Sequence, residues 1–310
     1  MELSLTHSKG ISNLYSSDSH RLRQQIKCKC SPWYSSLATK STKSFSGHIW
    51  SLNAKQKQNK QMVLCSQKQE IPVLEARSIE EIYDSLAERL LPKVALLAES
   101  DNLKSKYIIG LAGPPGAGKT TVASEVVFRL NKLWALKAST QSDDIATVLP
   151  MDGFHLYRSQ LDVMENPEEA HARRGAPWTF NPELLLKCLH SIRNEGSVYA
   201  PSFDHGVGDP VENDVFVSLK HKIVIVEGNY LFLEDGFWKE VCAVFDEKWF
   251  VEIDIDTAME RVRKRHIATG KEPDVAKWRI EYNDRPNAVL IMKSKKNADL
   301  VIKSVDLEPS

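Results

Sequence analysis

Eight consecutive residues, Gly113–Thr120, have the types and spacing of a loop that binds phosphate groups. They read Gly-Pro-Pro-Gly-Ala-Gly-Lys-Thr and match the pattern G-x-x-x-x-G-K-[ST] without a gap. Gly116 and Gly118 allow backbone angles that turn successive N–H groups towards phosphate oxygens. Lys119 would reach the β- and γ-phosphates of a nucleotide, and the Thr120 hydroxyl would ligate Mg²⁺. We therefore predict that ATP binds with Mg²⁺, held by Gly113, Pro114, Pro115, Gly116, Ala117, Gly118, Lys119, Thr120 and Thr121.

An aspartate followed by a glycine, Asp152-Gly153, comes directly after an apolar segment, Ile145–Met151. If that segment is a parallel strand, its acid lies at the carboxyl edge of the sheet, where α/β proteins bind their ligands. A carboxylate there can accept the proton of a hydroxyl group and orient its oxygen towards the γ-phosphorus of ATP. An aspartate that only caps a turn is the alternative.

Predicted strands and helices alternate along the chain in the order that these two segments need. Tyr107–Ala112 is a short apolar run typical of a buried parallel strand, and it leads directly into the loop. Apolar residues then recur at helical spacing from Thr120 to about Trp134. This alternation predicts an α/β fold with a parallel sheet covered on both faces. The other predicted elements are strands at Ile145–Met151, Lys222–Val226, Lys248–Ile255 and Leu300–Ile302, helices at Pro182–Asn194, Asp256–Thr269 and Pro273–Asn283, and a first helix that Ser78 caps, Pro92 kinks or divides, and that ends near Ser100.

The loop together with Asp152-Gly153-Phe154 resembles the superfamily of phosphoribulokinases, uridine kinases and bacterial pantothenate kinases. The resemblance extends over roughly residues 75–305. It implies a P-loop three-layer sandwich with a parallel central sheet and a helical lid, and it implies that Asp152 is the base. Lys222–Gly228 is similar to that family's second acidic strand end, which implies that Glu227 helps to hold Mg²⁺ or the substrate.

The segment Asp256–His266 resembles the lid helix of the same family. Arg261 and Arg265 are four residues apart, so they share one face of a helix. Arginines on a closing lid can neutralise the charge that develops on the transferred phosphoryl group. Because Glu260 and Lys264 are also four residues apart, a solvated face with salt bridges is the alternative.

Other segments resemble the parts of this family that bind the phosphoryl acceptor. His155 and Arg158 follow the predicted base closely and could line the acceptor pocket. Tyr199–His205 is similar to the family's Pro-x-Tyr-Asp segment. That similarity implies that Asp204 forms hydrogen bonds with hydroxyl groups of the acceptor.

The identity of the acceptor stays open in this comparison. Arg173–Asn181 resembles the family motif Gly-x-Pro-x-x-Phe-Asp, but Asn181 stands where relatives carry an aspartate that contacts acceptor hydroxyls. The adjacent Arg173 and Arg174 would suit an anionic acceptor such as a sugar phosphate, although a solvent-facing basic pair is equally compatible with the sequence. Gly206–Asp209 lacks the base-reading histidine of uridine kinases, which disfavours uridine. The pattern from Arg265 to Ala288 is most similar to the fructokinase-like branch.

The charge of the 310-residue chain is divided unevenly between its two parts. Residues 1–69 hold 11 of the 41 Lys and Arg but two of the 41 Asp and Glu, which leaves 30 and 39 for residues 70–310, a net charge of −9. We therefore expect residues 70–310 to form the kinase domain and to have no nucleic-acid partner. No run of about 18 apolar residues occurs, so we expect no membrane-spanning helix.

Residues 1–69 are rich in Ser and basic residues and poor in acids, a composition typical of an organelle transit peptide. We therefore predict a disordered N-terminal extension with a targeting function. Val63–Ser66 resembles the loose processing site of chloroplast transit peptides, which favours the chloroplast stroma over a mitochondrion or the cytoplasm. A basic tail without a targeting role is the alternative.

The function predicted from these observations is transfer of the γ-phosphoryl group of ATP to a hydroxyl of a small metabolite. Sugars, sugar phosphates, nucleosides and pantothenate-like compounds all remain candidate acceptors. The alternative is a regulatory module that binds a nucleotide and hydrolyses it slowly or not at all. Guanine-reading Asn-Lys-x-Asp and the Asp-Glu strand end of motor ATPases are both missing, which disfavours switches and motors. The sequence leaves a homodimer open.

Overall fold

The structure, a computed structural model, describes residues 70–138 and 144–304. Its strands are β1 (Val73–Leu74), β2 (Tyr107–Ala112), β3 (Ala146–Pro150), β4 (Val198–Asp204), β5 (Asp209–Val217), β6 (Ile223–Gly228), β7 (Glu247–Glu252) and β8 (Leu300–Lys303). Six of them form one sheet in the order β1-β8-β7-β2-β6-β3, and every neighbouring pair is parallel. The predicted parallel sheet is therefore confirmed, with the short β1 as an additional edge strand.

Helices cover both faces of this sheet. They are α1 (Ile79–Ala98), α2 (Lys119–Ala138), α3 (Arg158–Leu161), α4 (Pro167–Ala172), α5 (Pro182–Glu195), α6 (Gly236–Val244), α7 (Ile255–Ala268), α8 (Pro273–Arg279) and α9 (Arg285–Lys293). Successive strand residues point to opposite faces, so Ile109 packs in the core under α1, α2 and α7, whereas Ile108 packs in the core under α5 and α6. The chain therefore forms the predicted three-layer sandwich.

Two predicted helices differ from the structure, and proline is involved in both. Pro92 does not divide helix α1, which continues to Ala98, and Leu90 and Val94 on either side of it are fully buried in the core; the predicted kink stays a prediction. The single helix predicted at Pro273–Asn283 is instead α8 followed by a π-helical turn, Ile280–Asp284, and then α9. Pro286 lacks the N–H that would continue an α-helical ladder, and a wider turn at this point accommodates that loss.

An antiparallel hairpin, formed by β4 and β5, lies outside the main sheet and was not predicted. It contacts the short 3₁₀ turn Met151–Phe154 that follows β3. Pro201 and Pro210 lie within its two strands, and proline is unusual in strands, which concealed the hairpin in the sequence.

The targeting prediction for residues 1–69 lies outside the described residues and stays a prediction. In the described part of the chain, none of the helices combines the length and apolarity needed to cross a lipid bilayer.

Candidate active site

Three neighbouring strands bring the predicted donor residues to one edge of the sheet. Glu227, near the end of β6, is paired in register with Leu111 of β2 on one side and with Pro150 of β3 on the other. The phosphate loop follows β2, and Asp152 follows β3. Because all three strands are parallel, the loop, Glu227 and Asp152 meet at the carboxyl edge.

A cavity of about 320 Å³ opens at this edge. Every residue that the sequence assigned to catalysis or to the metal lines it, together with much of the phosphate loop. Its lining comprises Pro115, Gly116, Gly118, Lys119, Thr120, Thr121, Asp152, Glu227, Gly228, Asn229, Arg261, Val262 and Arg265. The predicted loop residues Gly113, Pro114 and Ala117 lie outside this lining.

The loop approaches the lid helix so closely that only glycine fits at position 116. Gly116 has a φ of 82°, in the left-handed region that favours glycine. A Cβ atom there would lie 2.5 Å from the carbonyl oxygen of Ala258 in α7. The glycine at this position of the motif thus serves the packing of α7 as well as the turn of the loop.

Lys119 and Thr120 begin α2 beneath the loop. The buried Lys119 Nζ donates a hydrogen bond to the Pro114 carbonyl oxygen (3.1 Å), and Thr120 Oγ1 donates one to Glu227 Oε1 (3.1 Å). Burial lowers the pKa of Lys119, and the nearby Glu227 and Asp152 carboxylates oppose this shift. Burial likewise raises the pKa of Glu227, against the opposing charge of Lys119. These groups are therefore arranged so that bound phosphates and a cation would compensate their buried charges.

The two predicted lid arginines face the cavity. Arg261 Nη1 donates hydrogen bonds to the Gly116 carbonyl oxygen and to Ser304 Oγ, both at 3.2 Å. Arg263, between them in sequence, instead pairs with Glu260 on the exposed face of α7. Helix α7 therefore has one face that lines the cavity and another that carries a solvated ion pair.

His155 occupies a stacked position immediately after the predicted base. Its ring centroid lies 3.9 Å from that of Phe180 and 4.5 Å from that of Phe203 in β4. Nδ1 is 2.8 Å from the carbonyl oxygen of Asp152, and because a carbonyl oxygen only accepts, Nδ1 carries the proton. Burial lowers the pKa of His155, so its Nε2 is an unprotonated acceptor at neutral pH.

The predicted acceptor residues Arg158 and Arg174 are both attached to Asp209 of the hairpin. Asp209 Oδ1 accepts from the Arg158 backbone N–H (2.8 Å) and from Arg174 Nη2 (3.2 Å). Sequence analysis missed Asp209, because it lies 51 and 35 residues from its partners and no local motif marks it.

Two other predicted acceptor residues form hydrogen bonds with the local backbone. Asn181 Oδ1 accepts from the Leu184 N–H (2.9 Å) as the N-cap of α5. Asp204 Oδ1 accepts from the N–H groups of Gly206 and Val207 in the hairpin turn. Neither residue lines the cavity at the carboxyl edge. Asparagine caps helices as well as aspartate does, so the Asn181 departure is compatible with an unchanged local fold.

A family model described as the phosphoribulokinase / uridine kinase family matches residues 108–308. The chain belongs to this family. A Schizosaccharomyces pombe protein, C227.14, whose name assigns it provisionally to the uridine kinases, is 36% identical over 209 residues, which cover 66% of this chain and 86% of the relative.

Two solved structures of P-loop kinases are similar to this family member. One, from Silicibacter sp. TM1040 and provisionally named a fructose transport system kinase, has a TM-score of 0.58 and 28% identity, with 70% of this chain and 98% of that chain covered. The other, YFH7 from Saccharomyces cerevisiae, has a TM-score of 0.61 and covers 73% of this chain and 99% of its own. At 20% identity, YFH7 supports the fold alone.

The glycine after Asp152 is required by the hairpin in this family member. A Cβ atom at Gly153 would lie 1.9 Å from the carbonyl oxygen of Pro201 in β4. The backbone of the Asp152-Gly153 turn therefore packs directly against the backbone of β4, so a movement of the turn towards the hairpin requires the hairpin to move as well.

Gly153→Ala is expected to lower both stability and turnover, because two backbone segments must separate to admit one methyl group. We expect a loss of about 2 kcal/mol or more, which corresponds to a Tm lower by roughly 4–8 °C. Thermal unfolding and ADP release measure the two effects. Gly206→Ala is the control, since a Cβ there contacts only the Asp204 carboxylate, at 3.1 Å, and its Tm should stay near the wild-type value. A wild-type Tm for Gly153→Ala would contradict the close packing.

Proposed function

We propose that this chain transfers the γ-phosphoryl group of ATP to a hydroxyl group of a small metabolite, with Mg²⁺. The observation that carries the proposal is the single cavity that joins Lys119, Thr120, Asp152, Arg261 and Arg265. A phosphate loop alone would also serve a motor or a switch. The carboxylate and the two lid arginines facing the same space are what phosphoryl transfer to a hydroxyl requires.

The donor half of the site suits a triphosphate with its metal. The N–H groups of the loop and the start of α2 face the phosphates, and Lys119 extends towards them. Thr120 Oγ1 and Glu227 Oε1, 3.1 Å apart, are hard oxygen donors of the kind that Mg²⁺ prefers. When bound, Mg²⁺ would offset the negative charge of the β- and γ-phosphates.

The acceptor half begins at Asp152. Its carboxylate can accept the proton of the attacking hydroxyl and direct the oxygen at the γ-phosphorus. His155, Arg158 and Arg174 lie outside the lining of the cavity and contact the hairpin, His155 through the Phe203 ring and the two arginines through Asp209. Arg261 and Arg265 would stabilise the charge of the transition state from the lid side.

The names of the relatives point to different acceptors. The S. pombe protein is named for uridine and the Silicibacter protein for fructose transport. What these compounds share is a hydroxyl group, so the proposal specifies that group and leaves the acceptor among sugars, sugar phosphates, nucleosides and pantothenate-like compounds.

A coupled assay of ADP release, run on the full chain with each acceptor class, tests the proposal. Release that rises above the acceptor-free rate with at least one compound supports it. Tight ATP binding without release for any acceptor would reject it in favour of a nucleotide-binding regulatory module. That module predicts that Lys119→Ala still complements loss of the wild-type protein, whereas a kinase variant without Lys119 would not.

We also propose that residues 1–69 direct the chain to the chloroplast stroma. Their excess of basic residues over acids supports the proposal. A fluorescent protein fused behind residues 1–69 should accumulate in chloroplasts, and a fusion of residues 70–310 should not. Accumulation of the first fusion in mitochondria or in the cytoplasm would contradict it.

A further inference from the structure

The guanidinium group of Arg174 is mostly buried and only partly satisfied. Its Nη2 donates to the Leu156 carbonyl oxygen (2.8 Å) and to the Asp209 carboxylate (3.2 Å), and 15% of the side chain is exposed. Its Nε and Nη1 atoms are shielded from solvent, and neither has a hydrogen-bond partner among residues 70–138 and 144–304. A buried donor on a charged group is costly to leave unpaired, so these N–H groups call for an acceptor.

The Arg174 side chain lies beside the residues that follow Asp152. Arg174 and His155 both pack against the ring of Phe203. The Phe203 centroid lies 5.6 Å from the guanidinium carbon of Arg174 and 4.5 Å from the centroid of the His155 ring. Leu156, whose carbonyl Arg174 contacts, is the next residue after His155. Arg174 therefore belongs to the same group of packed side chains as His155, whose Nδ1 contacts the Asp152 carbonyl oxygen.

The backbone at Arg174 is fixed from behind by a buried amide. Asn283, 1% exposed in the π-helical turn, donates from Nδ2 to the Arg174 carbonyl oxygen (3.0 Å) and accepts at Oδ1 from Arg173 Nε (3.2 Å). Asn287 Nδ2 donates to the same Oδ1 at 3.0 Å. The backbone of Arg174 is thus held in place by a buried side chain.

The side chains of Arg158, Arg173 and Arg174 form more hydrogen bonds with neutral groups than with carboxylates. Arg158 Nη1 donates to the Val207 carbonyl oxygen, and Arg173 Nε donates to the Asn283 amide, both neutral partners. Across the described part of the chain, Asp209 is the one carboxylate that hydrogen-bonds to any of these arginines, through the Arg174 side chain and the Arg158 backbone N–H. An additional negative group would therefore be favourable here.

We propose that Arg174 binds an oxyanion of the phosphoryl acceptor, so that the substrate is a hydroxy compound that carries a carboxylate or a phosphate. The proposal rests on the kinase function proposed above. The adjacent Nε–H and Nη1–H groups form the edge that pairs with two oxygens of such an anion in a bidentate manner. Because both nitrogens are shielded from solvent, the Arg174 side chain must turn on its fixed backbone for the acceptor to reach them.

Matched pairs of acceptors test this inference on the full chain. Glycerate is compared with glycerol, pantothenate with pantothenol, and a sugar phosphate with its parent sugar, using kcat/KM from ADP release. We expect the anionic member to be preferred, and the carboxylate and phosphate pairs show which anion is used. Arg174→Gln should lower kcat/KM for the preferred anion by about 30-fold or more, while the neutral partner changes by less than about 3-fold.

Arg193→Gln is the matched control. Arg193 also bonds carbonyl oxygens and one aspartate, Asp246, but it lies at the opposite edge of the sheet and should leave the preference unchanged. Preference for the neutral member would overturn the inference and leave the kinase function intact. An equal loss for both members in Arg174→Gln would overturn it as well, because that is the result of a purely structural role.

If neither these pairs nor a nucleoside supports ADP release, the proposed kinase function fails, and a binding measurement decides the inference by itself. ADP-saturated protein, in which the phosphate loop is occupied, is titrated with inorganic phosphate and with glycerate while Tm is recorded. The inference predicts a rise in Tm for at least one anion that is absent in Arg174→Gln. An equal rise in both proteins, or none in the wild type, would overturn it.

Discussion

Asp152→Asn lowers the turnover of phosphoryl transfer by about 10²-fold or more while ATP binds nearly as before; this is the result expected for a general base. The amide has almost the same shape as the carboxylate but cannot accept the proton of the attacking hydroxyl. Asp152 also opposes the burial of the Lys119 charge, so the variant removes a negative group from the phosphate site. ATP affinity should therefore stay constant or rise slightly, and the loss should be confined to kcat.

Steady-state ADP release with the best acceptor gives kcat, and nucleotide titration gives the affinity for ATP. Asp162→Asn is the control, since Asp162 is exposed and, within residues 70–138 and 144–304, forms an ion pair with His171 alone, outside the cavity. Its turnover should stay within about 2-fold of the wild type, as expected for a solvated ion pair. Wild-type turnover in Asp152→Asn would remove Asp152 from the mechanism and leave it as a turn residue.

Lys119→Met has the second large effect: kcat/KM for ATP falls by about 10²–10³-fold or more. Lys119 is buried beneath the loop, with the Pro114 carbonyl oxygen as its hydrogen-bond partner. Because Lys119 is itself buried, water screens its charge less than it would screen an exposed lysine. Methionine fills a similar volume, so the loss reports the missing charge and not a cavity.

Nucleotide titration and ADP release together measure this effect, and thermal unfolding confirms that the variant is folded. Lys132→Met on the exposed face of the same helix α2 is the control and should bind ATP normally. An unchanged affinity for ATP together with unchanged turnover in Lys119→Met would show that the triphosphate lies elsewhere. That outcome would also reject the cavity at the carboxyl edge as the donor site.

The predicted lid helix, α7, shows what helical spacing can and cannot predict. Spacing alone placed Arg261 and Arg265 on one face, and the structure confirms that both line the cavity. Which face turns inward could not be read from α7, because Glu260 and Lys264 offered an equally regular solvated face. The packing of Ala258 against Gly116 settles the orientation, since it turns that side of α7 towards the loop.

In the predicted acceptor segments, the sequence pattern did not reveal the three-dimensional contacts. Asn181 was interpreted as a substrate contact because of its place in a family motif, yet its side-chain oxygen caps α5. The hairpin was not predicted, although Tyr199–His205 is similar to the family's Pro-x-Tyr-Asp segment on the acceptor side. Asp209, which connects Arg158 and Arg174 to that hairpin, carries no local signal at all.

The sequence by itself determined the donor side, because a phosphate loop, its preceding strand and its following helix are contiguous and their chemistry is local. It also determined the parallel sheet, whose carboxyl edge had to collect Asp152 and Glu227. Only the tertiary structure decided how the acceptor side is assembled. Gly153 contacts Pro201, and Arg174 contacts Asp209, although tens of residues separate the members of each pair. Such contacts depend on how separate elements pack. The unpaired edge of Arg174 is a product of that packing.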